Sequence, residues 1–361
     1  MKKLFAPLVL LFCLGIVISC SKTDAVVEPD PAIINAEANF EITPGDDPFT
    51  FDFKNLSTKF KRLEWRFGDD TLSTVENPSH VYLTTGTYTV DLRAYSETGA
   101  VSRKVLELKI LPEKIIVVSG VKGAAANSYK FDIRTEAQIK TANWKVVDAS
   151  KPTSTTQTST ALSPEFLMPV GSVAQVTLNV VTEKGSTAEL VLNGSTAGIL
   201  ENITNIAVFS VSKDNDGGKN ANEGSLKLID KDVGTKMFQG WDNTNGFKAT
   251  FQYQDKQTVK FYGIGSANDS QDRDPKNWVL EGSNDGSSWE TVDARALTRN
   301  YWDQRIDLGW TQDKYPNNDF RYKQMFYYEV ATPKSFLYFR LNISTNFGSG
   351  GFQISEIRLF R

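Results

Sequence analysis

Residues 88–95, Tyr88-Thr-Val-Asp-Leu-Arg-Ala-Tyr95, alternate apolar and polar side chains. A period of two sends every second side chain to the same face, so the stretch reads as a half-buried strand. Short runs of the same kind, bounded by Gly, Asn, Asp and Pro, fill the chain from Phe40 onward. No segment shows a long 3.6-residue apolar period. The expected class is all-β.

The same stretch recurs farther along. GTYTVDLRAYSETGA (86–100) lies over GSVAQVTLNVVTEKGS (171–186) with one insertion. Both copies close on a turn signal, Glu97-Thr98-Gly99 and Glu183-Lys184-Gly185. Upstream, Phe51-Asp-Phe53 precedes Trp65 as Phe131-Asp-Ile133 precedes Trp144. An internal echo of this length predicts two consecutive β-sandwiches, over 34–112 and 113–196. Composition then shifts. Five of the seven tryptophans and eight of the twelve tyrosines lie beyond residue 200, which marks 197–361 as a third and different unit.

Charge and cysteine content exclude several functions. Forty Lys and Arg against 43 Asp and Glu give a net charge of −3, so there is no cationic excess to condense on phosphates and no nucleic-acid partner is expected. A single His, His80, excludes a His-based zinc cluster, and the two cysteines, Cys13 and Cys20, exclude a disulfide framework. Both cysteines belong to an N-terminal segment in which Lys2 and Lys3 precede an apolar run from Leu4 to Ile18. That run is short for a bilayer span and has the form of a secretory signal. Residues 20–33 are polar, carry two prolines, and read as a flexible tether.

The end of the signal, Val17-Ile18-Ser19-Cys20, resembles a bacterial lipobox. The resemblance implies removal of residues 1–19, acylation of Cys20 and attachment to the outer membrane, with Asp24 compatible with the surface lipoproteins of Bacteroidota. In the first repeat, Trp65-Arg-Phe-Gly-Asp-Asp70, Glu76-Asn-Pro-Ser-His-Val-Tyr82 and Gly86-Thr-Tyr-Thr-Val90 resemble the PKD domain. There the Trp packs in the sandwich core, Gly68-Asp69 make a tight turn, and His80 and Tyr82 belong to the strand that follows. Arg66 stands where that family usually has Asp, and Asp70 where it has Gly. The second repeat keeps its Trp but lacks both motifs, and is read as a PKD-like or immunoglobulin-like spacer.

The third unit contains Leu228-Ile-Asp-Lys-Asp-Val-Gly-Thr235, then Ser266-Ala-Asn-Asp-Ser-Gln-Asp-Arg-Asp-Pro-Lys-Asn-Trp278 leading into Val279-Leu-Glu-Gly-Ser-Asn-Asp-Gly-Ser-Ser-Trp289. It closes on Tyr338-Phe-Arg-Leu-Asn-Ile343 and Gln353-Ile-Ser-Glu-Ile-Arg-Leu-Phe360. In this order the motifs resemble the discoidin, or factor V/VIII type C, domain, which is also the fold of family 32 carbohydrate-binding modules. The fold implied is an eight-stranded jelly roll whose chain ends lie close together. The resemblance also implies a structural Ca²⁺ held by backbone oxygens of Lys227 and Asp232, the Asp230 carboxylate, the Thr235 oxygen and Glu356. Hard cations take several oxygens at once, which a tight loop can supply; a saturated site leaves no position for substrate.

The same family binds sugars on loops at one end of the sandwich, through an aromatic platform and charged hydrogen-bonding groups. Carried onto this sequence, that implies Glu223, Trp241, Arg273, Asn346 and Phe347. The family often has a His near Trp241, and this unit has none, which removes the basis for a galactose-like preference. Arg273 has a second reading as a brace to Asp272 or Asp274, and Trp241 as core. Trp278 and Trp289 alternate with strand residues and read as core, while Trp302 and Trp310 sit in a polar stretch (298–320) that could extend a binding face. The function expected is non-enzymatic: a cell-surface lipoprotein that binds glycan at its far end and accompanies an outer-membrane glycan transporter of the Sus type. Adhesion to a protein is the alternative. A glycoside hydrolase needs two carboxylates at a set separation, and the three modules leave no room for a catalytic domain.

Overall fold

The computed structural model describes residues 35–151, 154–311 and 324–361; the signal, the tether and Cys20 lie outside them. Among the described residues no helix is long and apolar enough to cross a membrane. The described residues are nearly all β, with only short helical turns such as Pro112–Ile115 and Tyr301–Gln304.

In the strand Gly86–Tyr95 the side chains of Tyr88, Val90, Leu92 and Ala94 are buried, as the alternation predicts. Its neighbour Val101–Ile110 pairs with it over the full length, Gly86 opposite Ile110 and Tyr95 opposite Val101. With Arg62–Arg66 and Leu72–Ser73 these make a four-stranded sheet. It faces a three-stranded one of Phe40–Pro44, Thr50–Asn55 and Ser79–Val81. Trp65 fills the space between, fully buried, with Phe40 edge-on at 5.1 Å and its indole N–H donated to Val75 O at 2.9 Å. Gly68 and Asp70 both take positive φ (87° and 67°), so the turn keeps its left-handed backbone although Asp70 replaces glycine.

The second copy repeats this plan. A five-stranded sheet contains Ile139–Asp148 and Ala174–Thr182, and a three-stranded sheet is centred on Ser128–Arg134. Trp144 packs on Phe131 and Phe166 and donates its N–H to Ala161 O at 3.0 Å. The two echoed turns match closely: Gly99 N bonds Ser96 O and Gly185 N bonds Thr182 O, each at 3.0 Å, with φ of 84° and 87°.

Beyond Leu200 a five-stranded sheet (Val208–Val211, Phe247–Thr258, Ser335–Asn346, Pro275–Ser283, Glu290–Ala296) faces a three-stranded one (Met325–Glu329, Phe261–Gly265, Ile357–Phe360). These are eight strands among the described residues. A two-stranded ribbon, Met237–Gly240 with Gly351–Ile354, is added to them. The unit's ends meet, Ile203 N bonding Leu359 O at 2.9 Å and Glu201 N bonding Arg361 O at 3.1 Å. Trp278 is core, its N–H donated to Tyr262 Oη at 2.8 Å. Trp289 is not. It precedes its strand, in a turn whose amides at Ser287 and Ser288 bond the Asp285 carboxylate, and it lies half-buried under the Arg340 guanidinium at 3.8 Å.

Candidate functional site

The ribbon sets Phe238 directly opposite Gln353, so their side chains share one face. Around them gather Lys236, Glu223, and the loop that carries Asp269 and Arg273. Lys236 is nearly buried. Its ammonium lies 2.8 Å from Asp269 Oδ1, 3.2 Å from Gln353 Oε1 and 3.4 Å from Glu223 Oε1. The Arg273 guanidinium rests over the Phe238 ring at 4.7 Å and reaches Gln353 Oε1 at 3.5 Å and Asp269 Oδ1 at 3.8 Å. The buried Gln353 amide donates to the carbonyls of Asp269 and Ser270. It thereby holds Ser270 at φ 44°, a left-handed conformation that a non-glycine residue adopts at a cost.

Of the residues expected to bind ligand, Glu223 and Arg273 are brought together through Lys236, Asp269 and Phe238. The carboxylate beside Arg273 is Asp269, not Asp272 or Asp274. Asp274 is buried and accepts Tyr301 N at 3.1 Å, and burial pushes its carboxyl well above the usual range. Asn346 is spent on its own loop: its amide donates to Ser349 O and Gly351 O, both at 2.8 Å, and its oxygen accepts Gly348 N at 3.0 Å. That bracing presents Phe347, half-buried with the Lys276 ammonium 5.6 Å from its ring. Trp241 is half-buried against Phe352 at 5.7 Å, and its amide bonds Gly350 O at 2.9 Å. Lys236, Phe238, Asp269 and Gln353 were not among the residues expected from sequence. Aromatic faces beside fork-shaped and ammonium donors can hold a ring that offers C–H on its face and hydroxyls on its rim.

The acidic loop is a separate site. Asp230 Oδ2 accepts the Thr235 hydroxyl at 2.8 Å, and that hydroxyl also lies 3.1 Å from Asp232 O. The Lys227 ammonium is 3.5 Å from Asp230 Oδ2. Glu356 is buried with Oε1 3.4 Å from Arg358 Nε, while Oε2 has no protein partner. Burial pushes its carboxyl up to about 7, against the pull of Arg358, and the charge of Asp230 adds to the rise. Among the described residues no group of three or more His, Cys, Asp and Glu is gathered to hold a metal. Any cation here would therefore rest on two carboxylates supplemented by carbonyl and hydroxyl oxygens. The converging Asp230, Thr235 and Asp232 oxygens and the unpartnered Glu356 oxygen suit a hard cation of that kind.

Comparison with known proteins adds the following. The peptide-N(4)-(N-acetyl-beta-glucosaminyl)asparagine amidase of Arabidopsis thaliana is 39% identical over 72 residues, covering 17% of this chain and 10% of the amidase. The chain thus spans about a tenth of that curated relative's length. The family 32 carbohydrate-binding module of C. perfringens NanJ, solved with galactose, is similar over 45% of this chain and 100% of its own, with 10% identity and a TM-score of 0.33. The C-terminal domain of a chitobiase from Bacteroides fragilis is similar over 44% of this chain and 96% of its own, with 15% identity and a TM-score of 0.32. Residues 29–110, which contain the Trp65 and His80 motifs, match the family model of the PKD domain.

Proposed function

We propose that this chain is a lipid-anchored surface protein of the outer membrane that binds glycan through the loop end of its third unit, working with an outer-membrane glycan transporter. The observation that carries the reading is the Arg273–Phe238–Lys236 cluster beside the Phe347 loop. A guanidinium held over an aromatic ring, next to a second aromatic on a glycine-flanked loop, offers both contacts a sugar ring needs. The two sandwiches act as spacers between anchor and site. A structural Ca²⁺ at Asp230, Asp232, Thr235, Lys227 and Glu356 belongs to the same reading. It would tie the loop before the ribbon to the connection that leads into the last strand, without touching the ligand.

A glycan array followed by titration calorimetry tests the site. A charged hydrogen bond contributes about 1.5–3 kcal/mol, so Arg273→Ala and Phe347→Ala should each weaken binding about tenfold or more. The melting temperature should change little. Strong destabilisation by Arg273→Ala with no selective loss of affinity would make Arg273 a loop brace. The anchor is tested separately: Cys20→Ala should move the protein out of the membrane fraction, and unchanged pelleting counts against lipidation.

A further inference from the structure

The outer face of the first sandwich's four-stranded sheet carries four arginines, Arg62, Arg66, Arg93 and Arg103. Register puts Arg93 directly opposite Arg103, and Arg66 opposite Asp91. Like charges facing each other across a ladder are destabilising unless a counter-charge lies between them. Beneath them Asp91 is buried and accepts Arg93 Nε at 3.2 Å and Arg103 Nε at 2.6 Å. Glu64 accepts Arg66 through Nε at 2.8 Å and Nη2 at 2.7 Å, and lies 4.0 Å from both Arg62 and Arg93. Bonding Arg93 and Arg103 through Nε leaves the paired terminal nitrogens of each guanidinium for another acceptor. Arg103 is 56% exposed and Arg66 45%.

Arg66, Arg93 and Arg103 line a surface cavity of about 470 Å³ together with Thr89, Asp91 and Asp70. Exposed Leu72 stands opposite Arg66 and exposed Val105 opposite Asp91, so apolar surface flanks the guanidinium row. Arg66 and Asp70 are also the two residues that depart from the PKD pattern.

We propose that this face binds an acidic polysaccharide, with the terminal nitrogens of Arg103 and Arg93, which meet Asp91 through Nε, taking carboxylate or sulfate groups, and Arg66, held by Glu64, adding its remaining Nη1 and its charge. Guanidinium forks match both anions in geometry, and Leu72 and Val105 offer surface to the C–H faces of the sugar rings. Asp91, Glu64 and Asp70 interleave with the arginines. That pattern repels a dense run of phosphates but accepts acid groups spaced along a neutral backbone. The site is separate from the loop end of the third unit and does not depend on it.

Affinity electrophoresis of the full chain at low salt, in gels containing polygalacturonate, dextran sulfate or neutral dextran, tests the assignment. Retardation by polygalacturonate, dextran sulfate or both is expected, with none by dextran, and the responding polymer identifies the acid group. The double variant Arg66→Gln, Arg103→Gln should weaken that binding about tenfold or more, with a lower but still cooperative melt because buried Asp91 loses one of its two arginines. Arg66→Gln alone should weaken binding with the melt nearly unchanged, and added salt should weaken it further. Equal retardation by dextran, equal binding of duplex DNA or of anionic vesicles, or full binding by the double variant would overturn it. Loss in Phe347→Ala but not in the arginine variant would overturn it too, and would move acidic-glycan binding to the third unit.

Discussion

Asp274 shows how much one buried carboxyl can reveal. It is shut away from solvent with the Tyr301 amide as its hydrogen-bond donor; Asp272 and the phenols of Tyr301 and Tyr328 lie within electrostatic range. Burial raises its folded pKa, so between the ordinary Asp range and that raised value the folded state binds more protons than the unfolded one. Stability from this group is therefore full at acid pH and declines as pH rises through that window. Asp274→Asn keeps the acceptor for Tyr301 and removes the titration. Melting curves of the two proteins should converge at acid pH and separate toward neutrality with the Asn variant higher; parallel curves at every pH would show that Asp274 is solvated. The same residue explains a limit of reading sequence. Asp272 and Asp274 flank Arg273 in the chain, yet Asp274 is claimed by a backbone amide 27 residues away, and the guanidinium turns to Asp269 and Phe238. Phe347 was legible from its glycine-flanked loop. Lys236 and Gln353 were not, because their contact joins residues 117 apart, and no local pattern encodes a cross-strand pair at that separation.

At the scale of elements, the two matching hairpin turns and the two buried tryptophans were legible because each rests on a local rule. Alternation fixes the face of a strand, and a glycine with positive φ fixes a turn. Trp289 escaped that reading because its period continues into the strand while its backbone is still in the preceding turn. The acidic loop and the short connection into the last strand form the pair on which a cation would act, since Asp230 sits before the ribbon and Glu356 between Gly351–Ile354 and Ile357–Phe360. A ligand that binds only the folded state stabilises by about 2.7 kcal/mol at a hundred times its dissociation constant. Calcium added to the chelator-treated full chain should therefore raise the melting transition of the third unit. Glu356→Gln, which keeps the size of the side chain, should abolish most of that rise. Identical melts with and without chelator would mean that the loop holds no cation and that Glu356 is simply a buried acid.

The whole molecule divides differently from its sequence repeats. The repeats mark two consecutive sandwiches, and one apolar cluster runs from Ala36 through Leu190 and includes core residues of both. Thr187 N bonds Leu83 O at 2.8 Å, and the fully buried Ser186 donates its hydroxyl to Tyr82 O at 2.8 Å. Lys184 reaches back to Asp46 at 2.5 Å and Asp47 at 3.0 Å. The third unit has a large core of its own and meets the second through a small cluster of Val173, Leu200, Phe261 and Phe360. A shared core implies shared unfolding. Calorimetry of the full chain should show one transition for the two sandwiches and a second for the third unit. Magnitudes separate the contacts at the junction. Lys184 is partly exposed, so Lys184→Ala should shift the first transition only slightly. Ser186→Val leaves the buried Tyr82 carbonyl without its donor, a loss of about 1–3 kcal/mol, and should lower that transition or split it in two. Three transitions in the unmodified chain would instead mean that the sandwiches fold independently, as jointed spacers rather than one stiff rod.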